Sequence, residues 1–156
     1  MNIYVFDLDD TIIMHHNRKV YYDKIKYDKN IDSFLSSLNG SKYIYTNGTY
    51  GHANIVLDKM GISRHFELIY ARDTLEYMKP NPKSFLQVHN DILDRENITQ
   101  GYKIHFYDDQ LDNLNTAYQF EWDTIWIHPR HKEKYKYYFV NQSNHFLGNE
   151  SLVSEN

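Results

Sequence analysis

The first thirteen residues constrain this chain most. Ile3-Tyr4-Val5-Phe6 is a short apolar run of β-branched and aromatic side chains, and it ends on Asp7, Asp9 and Asp10. A run this short, bounded by carboxylates, reads as a buried strand rather than a helix. Three acids then emerge together at the carboxyl end of a strand, the edge where open α/β sheets collect ligands. Their mutual repulsion has to be offset by a cation or by partner groups, and a hard, oxygen-preferring ion such as Mg²⁺ is the simplest answer. An acidic strand end taken alone also reads as an ordinary turn, so the rest of the chain decides.

The same pattern returns along the sequence. Residues 12–30 have no sustained period and are expected to form a flap or short hairpin. Ile31, Phe34, Leu35 and Leu38 follow at helical spacing, with Asn30 or Asp32 near the start and Gly40 at the end. Tyr43-Ile44-Tyr45 predicts a second strand, ending on Thr46-Asn47-Gly48. Ala53, Val56, Leu57 and Met60 then mark a helix closed by Gly61. Residues 66–70 predict a third strand. In Lys79-Pro80-Asn81-Pro82, Asn81 suits a helix N-cap and Pro82 the first helical position, and Phe85, Val88 and Ile92 are expected to point inward. A fourth strand over 102–107 ends on Asp108-Asp109, Leu111, Leu114 and Tyr118 mark a helix, and 124–127 predicts a fifth strand. Strand and helix alternate, the signature of a parallel sheet covered on both faces.

The 156 residues suit one domain with a proper core. There is no Cys, which excludes disulfides, a thiolate nucleophile and Cys-ligated zinc. With 15 Tyr, many are expected half exposed or at an interface. No apolar run is long enough to span a membrane and the opening is not a signal peptide, so a soluble, cytoplasmic protein is expected. A net charge of −4 argues against bulk attraction to nucleic acid, although a local basic patch stays open. Beyond Pro129 the regularity stops. Residues 129–156 are expected to be a C-terminal extension with a mobile end. Its Tyr/Lys stretch from Arg130 to Phe139 reads as an amphipathic helix or oligomer contact, or as a phosphate-backbone binder.

Four polar clusters thus stand at strand ends: Asp7/Asp9/Thr11, Thr46/Asn47, Lys79 and Asp108/Asp109. Singly, Thr46 reads as well as a helix cap, Lys79 as a surface lysine and Asp108/Asp109 as a solvated turn. As a set, over residues 3–128, they resemble the haloacid dehalogenase-like phosphohydrolases, with Asp7-Leu8-Asp9-Asp10-Thr11 the most specific motif. Tyr45-Thr46-Asn47-Gly48 with His52-Ala53, Lys79-Pro80 with Phe85, and Phe106-Tyr107-Asp108-Asp109 with Asn113 look most like the pyrimidine 5′-nucleotidase branch. The fold implied is a Rossmann-like three-layer α/β sandwich, with a central parallel sheet of about five strands in a catalytic domain over 1–128.

The resemblance implies a Mg²⁺-dependent phosphomonoester hydrolase. Asp7 would be nucleophile, forming an aspartyl-phosphate, and Asp9 the acid that protonates the leaving oxygen and then activates water. Asp7, the Asp9 backbone carbonyl and Asp108 would hold the metal, while Thr46, the Asn47 N–H and Lys79 would meet the phosphoryl group. Thr11 would steady the turn, Asp109 would orient a metal-bound water or hold Lys79, and Asp112 competes with Asp109 for the metal site. His15 and His16 read as solvated flap residues, with substrate contact second and a zinc site weaker still.

The family often carries an inserted cap domain. Here residues 12–45 and 49–78 are largely consumed by predicted strands and helices, so the flap over 12–30 is at most a minimal cap and no full cap fits. An open site excludes water poorly unless another subunit covers it. Phosphorylated small molecules such as nucleotides, macromolecular phosphate ends, phosphoproteins and a covering homo-oligomer therefore all stay open, with a noncatalytic interaction module as the rival outside enzymology.

Overall fold

A computed structural model describes residues 1–15 and 19–127 of the chain. Its strands are β1 (Asn2–Phe6), β2 (Ser41–Tyr45), β3 (Leu68–Tyr70), β4 (Lys103–Asp108) and β5 (Asp123–Trp126). Its helices are α1 (Lys29–Ser37), α2 (Tyr50–Met60), α3 (Pro82–Glu96) and α4 (Leu111–Gln119). The strands form one parallel sheet in the order β3-β2-β1-β4-β5. The order reverses at β1, which places the switch point of the sheet between β1 and β4.

Side-chain alternation along β1 divides the core into two layers. Ile3 and Val5 face a layer with Tyr43, Tyr45, Phe85, Val88, Ile92 and Leu114, contributed by α3, α4 and their strands. Phe6 faces the other, with Ile31, Phe34, Leu35, Ala53, Val56 and Leu57 from α1 and α2. Both faces of the sheet are therefore dry, as the continuous apolar reading of its strands requires. The surplus of tyrosine is partly absorbed here, since Tyr43, Tyr45, Tyr70 and Tyr107 are all buried. Three of these hydroxyls are shown paired: Tyr43 donates to Glu96, Tyr70 to Asp91, and Tyr45 pairs with Ser84.

Helix boundaries follow local chemistry. Asn81 caps α3 by accepting from Lys83 N, with Pro82 at the first position, and Gly61 closes α2 in the left-handed region at φ 72°. For α1 the expectation needs correction. The cap is Asp28, whose carboxylate accepts from Asn30 N and Ile31 N at 3.0 and 3.1 Å, while Asn30 and Asp32 lie inside the helix. Gly40 does not end that helix either; Leu38 does. Gly40 is where the chain passes β1, and a Cβ there would stand 2.1 Å from the Asn2 carbonyl oxygen. Tyr118 is exposed, and α4 instead turns Asn113, Leu114, Thr116 and Ala117 inward.

The segment after β1 is a tight curl rather than a hairpin. Thr11, Ile12 and Ile13 all donate backbone N–H groups to the Leu8 carbonyl, and Asp10 takes a left-handed conformation at φ 61°. Further on, the described part of residues 12–28 holds a single 3-10 turn, Tyr22–Lys24. Among the described residues no cap domain is inserted. No described helix is long and apolar enough to cross a membrane. His16 and the C-terminal extension from Pro129 lie outside the described residues.

Candidate active site

Register brings the site together. Phe6 pairs with Tyr107 across β1 and β4, and Asp7 N donates to Tyr107 O at 2.9 Å, so Asp7 stands beside Asp108 at the switch point. Asp7 continues the parity of Ile3 and Val5, toward the face covered by α3, and Lys79 arrives from the loop leading into α3. The Lys79 ammonium meets three acceptors: Asp7 Oδ1 at 3.1 Å, Asp108 Oδ2 at 2.9 Å and the Tyr45 carbonyl at 2.7 Å. Its three N–H donors are thereby matched, and the Tyr45 and Phe106 rings lie 4.9 and 5.4 Å from Nζ. Far from a surface lysine, it is buried.

Asp109 completes a buried acidic group, in which one oxygen from each of Asp7, Asp108 and Asp109 lies within 4.8 Å of the others. Thr11 Oγ1 donates to Asp7 Oδ2 at 2.9 Å, because the curl after β1 folds it back beneath the strand end. Asn113 Nδ2 and Gln110 N donate to Asp108 at 3.1 and 2.8 Å, and Gln110 Nε2 donates to Asp109 at 3.1 Å. Asp112 is exposed in the first turn of α4, outside this group.

Thr46 and Asn47 lie where β2 ends. The Thr46 hydroxyl oxygen accepts from Gly48 N at 3.0 Å, which leaves its O–H as a donor. The Asn47 side chain pairs both ways with the Lys79 backbone at 3.0 Å, fastening the lysine loop to the β2 edge. The motif reading expected only the Asn47 N–H to act, so this tether is additional.

Two histidines define the mouth. His15 Nε2 and His52 Nε2 lie 2.6 and 2.9 Å from the same oxygen, Asp9 Oδ1, and the Tyr22 hydroxyl lies 2.7 Å from His52 Nδ1. The His15 side chain is only 9% exposed, against the expectation of a solvated flap residue. In the sequence, His52 enters only with the wording of the Thr46 motif. Its signal was positional: it lies in the first turn of the helix that follows a strand end, and such a turn borders the ligand edge. Tyr22 has no such signal, because it depends on how the flap folds back.

The electrostatics divide the two carboxyls of the opening motif. Burial, then the charge of Asp108, pushes the Asp7 pKa well above the ordinary carboxylate range, and Lys79 only partly opposes this. Burial also raises Asp9, but the hydrogen bonds and charges of His15 and His52 outweigh it and leave the pKa lowered. Lys79 is shifted down by burial and up, by more, by Asp108 and Asp7, so it stays an ammonium. One ammonium among three buried carboxylates leaves negative charge uncompensated, and the donors are all hard oxygens. That donor set fits Mg²⁺, with Asp7 and Asp108 as the side chains that would hold it.

A sequence profile of the haloacid dehalogenase-like hydrolases matches residues 10–127. The chain belongs to this family. The matched segment takes in Thr46, Lys79, Asp108 and Asp109, and begins just after Asp7 and Asp9. No curated protein sequence matches the chain significantly. Among solved structures, this family member superposes on an L-2-haloacid dehalogenase from Xanthobacter autotrophicus with a TM-score of 0.55 at 17% identity, over 68% of this chain and 42% of that one. The core domain of a protein named as a phosphoglycolate phosphatase from Streptococcus pneumoniae gives 0.55 at 18% identity, over 80% of this chain and 77% of that one. A dehalogenase captured in an intermediate complex gives 0.53 at 19% identity. These likenesses establish the Rossmann-like fold, and the chain spans less than half the length of the dehalogenases it matches.

Proposed function

We propose that the chain is a Mg²⁺-dependent phosphatase that hydrolyses phosphomonoesters through an aspartyl-phosphate on Asp7. The observation that carries this reading is the three-carboxylate group around a single buried ammonium, with a separate carboxylate, Asp9, held at the mouth. A dianionic phosphate approaching Asp7 meets like charge, and a bound divalent cation would supply the neutralisation that Lys79 alone cannot. Thr11 and Lys79 fix the two Asp7 oxygens, orienting the carboxylate for in-line attack on phosphorus. The P–O bond to the leaving group breaks as the Asp7–phosphorus bond forms. Asp9, held as a carboxylate by His15 and His52, would pass a proton from these hydrogen-bonded imidazoles to the departing oxygen, then take one from the water that cleaves the acyl phosphate. The Thr46 hydroxyl and the Asn47 N–H would donate to the transferred oxygens. Lys79 contributes charge through Asp7 and Asp108 more than by a contact of its own.

Nucleotides are the first substrate class to examine, in line with the nucleotidase-like wording of the motifs. The uncapped mouth favours a second class, a bulky phosphate on a nucleic-acid end or a protein, or a second copy of the chain as the cover. The test is a phosphate-release screen over nucleotides, sugar phosphates, phosphopeptides and 3′-phosphorylated oligonucleotides, with Mg²⁺, with chelator and with Asp7→Asn. Release that needs Mg²⁺ and Asp7 is expected. Equal release by wild type and Asp7→Asn would overturn the mechanism, and full activity in excess chelator would remove the metal from it.

A further inference from the structure

The cluster at the mouth has a donor set unlike that of the acidic group below it. Asp9 comes from the end of β1, His15 from the curl that follows, and His52 from the first turn of α2. Their ligand atoms, one carboxylate oxygen and two imidazole nitrogens, all lie within 4.8 Å of one another. Ligands about 2.0–2.1 Å from a tetrahedral ion stand roughly 3.3 Å apart. The two nitrogen–oxygen separations of 2.6 and 2.9 Å are shorter than that edge by about 0.7 and 0.4 Å, so an ion would replace the two hydrogen bonds by spreading the three ligand atoms slightly apart. Tyr22, at 2.7 Å from His52 Nδ1, supplies the outer hydrogen bond that orients a metal-binding imidazole. Gly48 keeps the neighbourhood clear: a Cβ there would stand 3.2 Å from the His52 ring and 3.5 Å from Asp9 Oδ2.

We propose that Asp9, His15 and His52 form a second metal site, selective for Zn²⁺ or a similar nitrogen-preferring ion, whose occupation shuts the enzyme off. Two imidazoles and one carboxylate suit such an ion and are poor for Mg²⁺, which prefers an all-oxygen octahedron. The two sites therefore sort ions by chemistry. Three protein ligands leave a position for water, and the ion would join the flap to α2 across the mouth. With Asp9 Oδ1 committed to the ion, that carboxyl can neither hand a proton to a leaving oxygen nor take one from water. Inhibition rests on the phosphatase reading, whereas ion binding does not.

The test uses the untagged full chain in saturating Mg²⁺. Zn²⁺ affinity is measured by competition with a chromophoric chelator, and Co²⁺ substitution reports the coordination geometry through its visible absorption. His15→Gln and His52→Gln are each expected to weaken Zn²⁺ by more than the roughly 10–100-fold that loss of an outer partner brings, and Tyr22→Phe by about that amount. Asp108→Asn is expected to leave it unchanged. Zinc held elsewhere on a chain with nine His would survive both histidine substitutions. That survival, or zinc loss confined to Asp108→Asn, would overturn the site. Phosphate release, scored against each protein's own zinc-free rate, is expected to fall with Zn²⁺ in wild type and to resist it in the histidine variants. Zinc bound at the histidines with undiminished turnover would overturn the inhibitory role. If no substrate is turned over at all, the phosphatase reading fails while the affinity and Co²⁺ results still decide the site.

Discussion

Lys79→Met removes the one cation in the buried acidic group while preserving most of the side chain's length. The Lys79 side chain is 1% exposed and that of Asp108 is fully buried, so the carboxylates left behind cannot be rescued by water. Breaking a buried, hydrogen-bonded ion pair costs about 3–5 kcal/mol. For a domain of this size that corresponds to a drop in Tm of roughly 6–20 °C. The sign of the pH dependence follows from Asp7. Its folded pKa is already raised above 3.8 by burial and by Asp108, so the folded state holds a proton that the unfolded state releases. Stability therefore falls as pH rises from the unfolded value through the folded one. Lys79 opposes that rise, and its removal lifts the folded pKa further and widens the window of loss. Urea denaturation of both proteins, without divalent ions, should give a penalty that is larger near about pH 8 than near about pH 5. A penalty within about 1 kcal/mol at both values, or one that is larger at the acid end, would refute this account of how the site is held.

Three further outcomes follow from particular contacts. Gly40→Ala drives a methyl group to within 2.1 Å of the Asn2 carbonyl and should lower stability by about 1–3 kcal/mol, read by thermal melting; an unchanged Tm would mean that the β1 edge shifts freely. Asp28→Ala leaves two N–H groups at the start of α1 without their acceptor and should cost about 1 kcal/mol, with Asp28→Asn recovering most of it. Asp9 has a folded pKa below its unfolded 3.8, so its contribution is complete above that value and lost as pH falls through the folded pKa. Wild type should therefore lose stability more steeply than Asp9→Asn on acidification below about pH 5, and parallel curves would show that His15 and His52 do not hold this carboxylate.

Much of the scaffold was legible because the chain punctuates itself. Asn81-Pro82 and Gly61 mark helix ends by backbone rules that hold in any context, and the strands buried on both faces read as continuous apolar runs. The convergence of Asp7, Thr46, Lys79 and Asp108 follows once a parallel sheet is assumed, since each polar residue comes at or soon after a strand's carboxyl end. What escaped depends on how segments without a period fold back. Asp28 lies in such a segment, and only its position ahead of two free N–H groups makes it the cap. The role of Gly40 lies in a neighbouring strand that local sequence does not reveal. His15 is brought to Asp9 by the curl that Leu8 organises through its carbonyl, and Tyr22 to His52 by the way the flap returns, neither of which has a local signature. Which of the 15 tyrosines are buried was not legible, because the partners that satisfy the β2 hydroxyls, Glu96 and Ser84, are far along the chain.

The central claim, that Asp7 is the atom donor to phosphorus, is tested most directly by trapping the intermediate. Wild type is mixed with a hydrolysed phosphomonoester and Mg²⁺, quenched in acid within a turnover, digested and analysed by mass spectrometry. The peptide carrying Asp7 is expected to gain one hydroxylamine-labile phosphoryl group, absent from Asp7→Asn. Rapid phosphate release with no adduct on that peptide, and with the same rate in Asp7→Asn, would contradict the mechanism.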